Sequence, residues 1–302
     1  MAPGDPVAFC FVPPCGTCKA CAGGRRNLCE VASAHAWAGT LLDGTARLRF
    51  PDGRPLQHFN FISCFAERCV VPAASAVPIP AALPLWQAAL LGCGVVTAVG
   101  AVRNAARVAV GETVCVIGCG GVGQQLVAAA RLVGAGRVIA VERDAAKRAL
   151  ALARGATHAV AADAGAGDPA AAVLALAPGG VDHAFEAVGS AATIRLAWDV
   201  LRPGATATVV GIAPAGVEVA LPALELLSEK GIRGSYYGSG DAAGLLAAMA
   251  EMTVAGRFPV ADVVSHTTDL AGIEAALQRL RQGEGTRTVA LIDAETAGWT
   301  PS

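Results

Sequence analysis

The chain has 302 residues, enough for about two domains with cores of their own. Its 23 basic and 24 acidic side chains nearly cancel, with no basic block or aromatic–basic interleaving, which argues against nucleic acid as a partner. Ten cysteines, behind an opening Met1-Ala-Pro-Gly-Asp-Pro6 that lacks a secretory signal, point to the reducing cytoplasm, where thiols hold metals or pack as small apolar groups.

Pro3-Gly4-Asp5 followed by Val7-Ala-Phe9 reads as a turn feeding a strand, as though the chain joined mid-fold; the expectation is a fragment or a late start. Next come Cys15, Cys18, Cys21 and Cys29 at C-x2-C-x2-C-x7-C spacing. Four thiolates close a tetrahedral shell around one zinc and leave no place for water, so such a zinc is structural. Pro13, Pro14, Gly16, Gly23 and Gly24 give the loop its turns. The rival readings are disulfides, disfavoured by the compartment, a redox dithiol, disfavoured by four cysteines without a βαβ context, and an iron–sulfur cluster.

Residues 30–68 read as turn-rich, with Asp43-Gly44, Asp52-Gly53 and Pro55 between short strands. His35 and His58 have no partners at metal spacing and read as surface or packing residues. Phe65 to Pro72 reads as a strand, with Cys64 and Cys69 as packing residues. Cys69 to Val102 carries no charge and could span a bilayer on length alone. Pro72, Pro78, Pro80, Pro84, Gly92 and Gly94 interrupt it, so it reads as buried wall between two domains, not a membrane span. A short helix, 83–91, delivers Leu91-Gly-Cys93-Gly-Val-Val-Thr97, and a second helix, 98–106, follows. Cys93, between two glycines, is open enough to approach a metal or ligand; a buried small residue is the equal alternative.

Thr113-Val-Cys-Val-Ile-Gly-Cys-Gly-Gly-Val-Gly123 reads as a buried strand turning on glycines into a helix, with Gly118, Gly120 and Gly123 at G-x-G-x-x-G spacing and Gly121-Val122 inside it. Bare amides and the positive helix end then converge where a pyrophosphate fits, although an ordinary glycine turn looks the same by itself. A second strand ends on Glu142, about 20 residues downstream, as a dinucleotide fingerprint requires. A carboxylate there accepts from a ribose diol and repels a 2′-phosphate, favouring NAD over NADP, a preference that Arg143 weakens slightly. Strands near 113–117, 137–141, 158–160, 181–185, 206–211 and 231–236 alternate with helices near 121–134, 144–153, 168–176, 190–201 and 222–229. The fold class is α/β: a Rossmann doubly wound parallel sheet of order 3-2-1-4-5-6. Gly189, after Val188, and Gly211 fall where strand ends line a cofactor crevice. The last strand is an edge that a second subunit would cover, so a homodimer or homotetramer is expected. A helix at 241–255, a strand at 262–264, an amphipathic helix at 269–282 and a closing strand at 286–293 complete the chain.

A four-cysteine lobe, Leu91-Gly-Cys93-Gly and Gly-Cys-Gly-Gly-Val-Gly, in that order, resemble the zinc-dependent alcohol dehydrogenases of the medium-chain dehydrogenase/reductase superfamily over about residues 5–293. Leu42-Asp-Gly-Thr45 looks most like the branch holding animal-type alcohol dehydrogenases and thiol-dependent formaldehyde dehydrogenases. The resemblance implies a truncated GroES-like, mainly β catalytic domain over 1–94, a Rossmann NAD-binding domain over 95–236, and a return to the first domain over 237–302. It makes Cys15, Cys18, Cys21 and Cys29 structural-zinc ligands, Cys93 a ligand of the catalytic zinc, and Thr97 a neighbour of the nicotinamide. Glu142 and Lys147 become adenosine-ribose contacts, Val210, Ile212 and Tyr237 backbone partners of the carboxamide, and Arg287 a pyrophosphate ligand. The implied reaction is hydride transfer between a primary, possibly aromatic, alcohol and NAD to give the aldehyde. A thiol-dependent formaldehyde dehydrogenase and a non-catalytic NAD- and zinc-binding protein are the alternatives. The last is motivated by a departure: the family's earlier Cys, its Gly-His-Glu motif and its proton relay have no counterpart here. Without the strands expected to cover Phe9, Phe11, Phe65 and Val70, exposed apolar surface is expected as well.

Overall fold

The structure, a computed structural model, describes residues 1–296, 298 and 299; residues 297 and 300–302 of the expected 237–302 return lie outside the described residues. The chain divides into two compact units, Met1–Val96 with Ser239–Ser302, and Thr97–Gly238.

The first unit opens with β1 (Val7–Phe9), helices α1 (Lys19–Ala22) and α2 (Glu30–Ala38), the hairpin strands β2 (Leu48–Arg49) and β3 (Pro55–Leu56), and β4 (Ala76–Pro78), antiparallel to β1. Helix α2 replaces the turn-rich stretch expected after Cys29. Its signals are caps, not a stripe: the Cys29 sulfur accepts from Ala32 N, Gly39 ends it in the left-handed region, and Ala32 is its one buried residue. The strand expected at 65–72 does not form. Phe65 and Val70 are exposed, whereas Phe9 and Phe11 are half-buried. Cys64, expected to pack, is exposed too.

The two helices expected around Cys93 are one, α3 (Leu85–Ala106). Gly92 and Gly94 lie inside it, because glycine weakens a helix by about 1 kcal/mol without breaking it. The expectation that glycines keep this stretch too short to span a bilayer is therefore overturned. Among the described residues α3 is the one helix long and apolar enough to do so, yet 56% of its most apolar window is buried inside the protein, as in a core helix. Leu91–Val95 and Ala101–Ala106 are π-wound turns. A side chain at Gly92 would overlap the Phe9 carbonyl oxygen, so β1 runs hard against the turn that carries Cys93.

The second unit is built on β5 (Thr113–Ile117), α4 (Gly121–Leu132), β6 (Arg137–Glu142), α5 (Ala145–Ala153), β7 (His158–Ala161), α6 (Pro169–Leu176), β8 (Val181–Glu186), α7 (Ala191–Asp199), β9 (Leu201–Val209) and β10 (Gly231–Gly234). The six strands form one parallel sheet in the order β7-β6-β5-β8-β9-β10, the 3-2-1-4-5-6 order of a doubly wound fold. Cys115, Ile117, Ile139, Val141, Ala184 and Ala207 from the strands and Val173, Ala197 and Val200 from the helical side make its core. Burial on both faces explains why the central strands β5 and β6 read as apolar runs. Asp144, Asp168 and Ser190 cap the helices that follow the strands. Strand β9 starts earlier and ends earlier than the 206–211 expected, and the helix expected at 222–229 is a 3-10 turn, Ala223–Ser228.

The chain then adds α8 (Ala242–Val254), β11 (Val264–Thr268), α9 (Ile273–Arg281) and β12 (Arg287–Ala290) to the first unit, with β11 and β12 parallel. The strand expected at 262–264 thus begins where that segment ends.

His58 is buried, and its Nε2 accepts from Arg47 N at 3.1 Å while its backbone amide donates to Gly39 O at 2.8 Å. Desolvation first, and the Arg47 charge second, lower its pKa from the ordinary 6.5. The folded state therefore disfavours the imidazolium, so its stability is full above the ordinary value and declines as pH falls below it. The urea midpoint should drop between about pH 7 and about pH 5, and His58→Gln should remove part of that drop. A variant whose profile parallels the parent's would contradict this.

Candidate functional site

Extended backbone at Cys18 leads into α1, which returns Cys21 to the same place. The four sulfurs of Cys15, Cys18, Cys21 and Cys29 all lie within 4.8 Å of one another, with 4.0 Å between Cys15 and Cys21 and between Cys18 and Cys29. Tetrahedral zinc with bonds of about 2.3 Å needs sulfurs about 3.8 Å apart, so the group fits the metal. Backbone amides point at the sulfurs: Cys18 N to Cys15 at 3.3 Å, Cys15 N to Cys29 at 3.3 Å, and Ala32 N to Cys29 at 3.4 Å. The last belongs to the first turn of α2, an end that favours negative charge. Hydrogen bonding, foremost from the Cys18 amide, brings the Cys15 thiol down to about 6, whereas burial pushes Cys21 up to about 12. Thiolates crowded this closely need a cation among them, and binding one releases their protons. Asn27 N donates to Gly240 O at 3.1 Å, and Arg26 pairs with Asp241 at 3.5 Å, fastening the lobe to the start of α8. Among the described residues this is the only group of three or more side chains able to hold a metal.

Cys93 stands in the π-wound turn Leu91–Val95 and is exposed. Desolvation by the surrounding protein raises its thiol pKa, and the Arg287 charge, on β12 of the same unit, pulls it down. No further His, Cys, Asp or Glu among the described residues gathers with Cys93 into a metal-holding group. One sulfur cannot fill the three protein positions of a catalytic zinc. The donors present do not fit that metal.

In the second unit β5 ends at Gly118, whose φ of +84° suits glycine, and a side chain there would run into Val188. At Gly123 a Cβ would overlap the Gly118 carbonyl oxygen, so α4 can start directly over the strand end only with glycine in that place. Gly120 is different. A Cβ there would meet nothing within 4 Å, which leaves open space at Gly120 where the helix starts, and no side chain caps the helix. Uncapped amides facing open space at a helix N-terminus suit a pyrophosphate. Glu142 closes β6 beside them, its Oε2 accepting from Cys119 N at 2.7 Å and its Oε1 from Asp144 N at 3.0 Å. Asp144 in turn caps α5 through Lys147 N at 3.0 Å. Arg143 is exposed and Lys147 half-buried nearby in the chain. The residues fit an adenine dinucleotide.

Sequence reasoning missed Glu186. This fully buried residue ends β8, and its Oε1 accepts from Val188 N at 2.8 Å, Gly189 N at 2.7 Å and Thr193 Oγ1 at 2.8 Å. Its carbonyl oxygen accepts from Val210 N at 2.8 Å and Gly211 N at 2.9 Å. One glutamate thus ties the β8 loop to the β9 loop and brings Val188, Val210 and Ile212 to the same end of the sheet. An acidic residue closing an apolar strand three positions before a glycine was the available signal. Val188 and Ile212 are exposed, Thr97 is half-buried, and Tyr237 is buried, with its backbone at φ 47°.

A doubly wound dinucleotide fold joined to a four-sulfur metal lobe defines a zinc-binding dehydrogenase. Comparison with known proteins agrees: residues 121–251 match the zinc-binding dehydrogenase family, and residues 1–81 the alcohol dehydrogenase GroES-like domain. An S-(hydroxymethyl)glutathione dehydrogenase from Photobacterium damsela subsp. piscicida is 33% identical over 288 residues, covering 95% of this chain and 78% of its own length. A crystal structure of an alcohol dehydrogenase zinc-binding domain protein from Burkholderia ambifaria superposes with a TM-score of 0.90 at 32% identity, covering 96% of this chain and 78% of that one. Benzyl alcohol dehydrogenase from Acinetobacter calcoaceticus gives 0.87 at 26%, covering 97% and 79%. The chain belongs to the zinc-dependent alcohol dehydrogenase family of the medium-chain dehydrogenase/reductase superfamily.

If zinc organises the lobe, a strong chelator should lower the thermal midpoint of the purified chain by about 5 °C or more. Cys18→Ser should show the same lower midpoint and no further response to chelator. An unchanged midpoint in both would contradict a metal in the lobe.

Proposed function

We propose that the chain binds NAD through Gly118, Gly120 and Gly123, the start of α4 and Glu142, and serves hydride transfer between a primary alcohol and its aldehyde. The observation that carries the cofactor half is Glu142, a carboxylate held by two backbone amides beside an uncapped helix end. When bound, the nicotinamide accepts the hydride. The protein's part is placement: the α4 amides face the pyrophosphate, Glu142 meets the ribose diol, and Glu186 fixes the loops at Val188 and Val210 whose backbone would border the nicotinamide. Thr97, Lys147, Tyr237 and Arg287 are proposed cofactor contacts by family resemblance. No step is assigned to a catalytic zinc, since among the described residues no group of three or more metal-holding side chains includes Cys93.

A second reading, favoured by the hydroxymethylglutathione dehydrogenase relative, is oxidation of a thiol adduct of formaldehyde. NADH should bind at least about tenfold more tightly than NADPH, and Glu142→Gln should narrow that gap by weakening NADH. Equal binding of the two would contradict the diol role. Turnover assays with benzyl alcohol, and with formaldehyde with and without a low-molecular-weight thiol, separate the two substrate readings. Zinc and NADH binding with no turnover of either substrate would favour the non-catalytic one.

We also propose a homodimer through β10. Among the described residues this strand pairs with β9 alone, leaving one row of backbone N–H and C=O groups at the sheet edge, and Leu224, Leu226, Leu227, Ile232 and Tyr236 nearby are exposed. A second copy placed on this edge would extend the sheet and cover the apolar surface. Sedimentation should give a dimer, and Leu227→Glu with Ile232→Lys should give a monomer; a monomeric parent would contradict the proposal.

A further inference from the structure

Helix α4 buries two consecutive glutamines. Gln124 is fully buried and Gln125 nearly so, in a helix whose residues from Gly123 to Ala130 are all buried. A carboxamide costs free energy there unless it is hydrogen-bonded, so its bonds show what it holds. The Gln124 amide nitrogen donates to Cys119 O at 2.9 Å and to Lys147 O at 2.9 Å. Cys119 lies in the glycine loop and gives its own N–H to Glu142 Oε2. Glu142 Oε1 accepts from Asp144 N, and Asp144 Oδ1 accepts from Lys147 N. The bonds close a ring that runs Gln124, Cys119, Glu142, Asp144, Lys147 and back to Gln124. Farther along, Arg154 donates to Gln124 O at 3.1 Å and to Gln125 Oε1 at 2.8 Å, bracing α5 on α4 at its other end.

The ring has a directional consequence. Each Glu142 oxygen accepts one backbone N–H, and the lone pairs that remain point where those two amides leave room. The amides sit where the glycine loop and the start of α5 sit, and the Gln124 side chain bonds to both, at Cys119 O and Lys147 O. We infer that Gln124 is a positioning residue for ribose recognition: without reaching the cofactor, it aims Glu142 at the 2′,3′-diol and so sets the preference for a diol over a 2′-phosphate. The inference rests on the dinucleotide reading given under Proposed function.

The test is a double-mutant cycle on cofactor affinity, with Kd for NADH and NADPH measured by fluorescence for the parent, Gln124→Met, Glu142→Gln and the double variant. Methionine keeps the volume and removes both donors. Gln124→Met should raise the NADH Kd about tenfold while changing the NADPH Kd far less, and the double variant should bind NADH no worse than Glu142→Gln alone. Losses that simply add, to about a hundredfold, would mean that Gln124 acts on something other than Glu142 and would overturn the inference. An unchanged NADH Kd in Gln124→Met would overturn it too. Should Gln124→Met fail to unfold cooperatively in urea, Gln124→Leu, neutral and also without the donors, carries the same cycle. A parent chain that binds neither nucleotide would sink the dinucleotide reading and this inference together; a parent that binds NADH while the cycle is additive would sink this inference alone.

Discussion

The start of α4 over the end of β5, with no side chain between them, is the constraint on which the carboxyl end of the sheet depends. A Cβ at Gly123 would occupy the place of the Gly118 carbonyl oxygen, and one at Gly118 would strike Val188. Because both positions are glycine, the first turn of the helix lies against the strand, and its free amides open onto unfilled space above Gly120. Beside this close approach Cys119 N reaches Glu142 and the Gln124 side chain reaches Lys147 O. The same close approach therefore shapes the proposed phosphate cradle and the place of the carboxylate beside it.

The neighbouring crevice loops obey related logic. Strand ends leave backbone N–H groups that the sheet no longer uses, and buried amides left unpaired are costly. Two glutamates at strand ends meet that need. Glu142 takes one amide from the glycine loop and one from the α5 cap; Glu186 takes two from its own loop and, through its carbonyl, two from the loop after β9. In the first unit the sulfurs do similar work. Cys29 caps α2 as well as facing its three partners, so a metal bound there would stabilise the helix along with the loop.

What could be read in the sequence follows from how local the determinants are. The parallel sheet was legible because its central strands β5 and β6 are buried on both faces and the crossover helices have their own caps or glycine stops. The metal lobe was legible because its four donors lie within 15 residues of sequence and bind by spacing. Helix α2 was not, since it shows no apolar stripe: Ala32 is its one buried residue and Trp37 faces out, and a sulfur cap is not a usual helix-start signal. The strand expected at 65–72 failed for the opposite reason. Its alternation was real, but a strand also needs a neighbour, and sequence alternation cannot supply one. The continuity of α3 was hidden because glycines at 92 and 94 look like breakers, although in a buried helix the packing of Leu91, Val95 and Val96 outweighs their cost. Glu186 and Gln124 were invisible as site residues because their roles lie in partners brought close only by the fold.

The two sites together imply one dinucleotide and one metal for each chain. Native mass spectrometry of the purified 302-residue chain with NADH tests both at once. The donor inventory predicts one zinc and one NADH for each chain, with the zinc lost on Cys18→Ser and the NADH retained. Two zinc ions per chain would mean that Cys93 has found ligands absent from the described structure, and no NADH adduct would contradict the cradle at Gly118–Gly123.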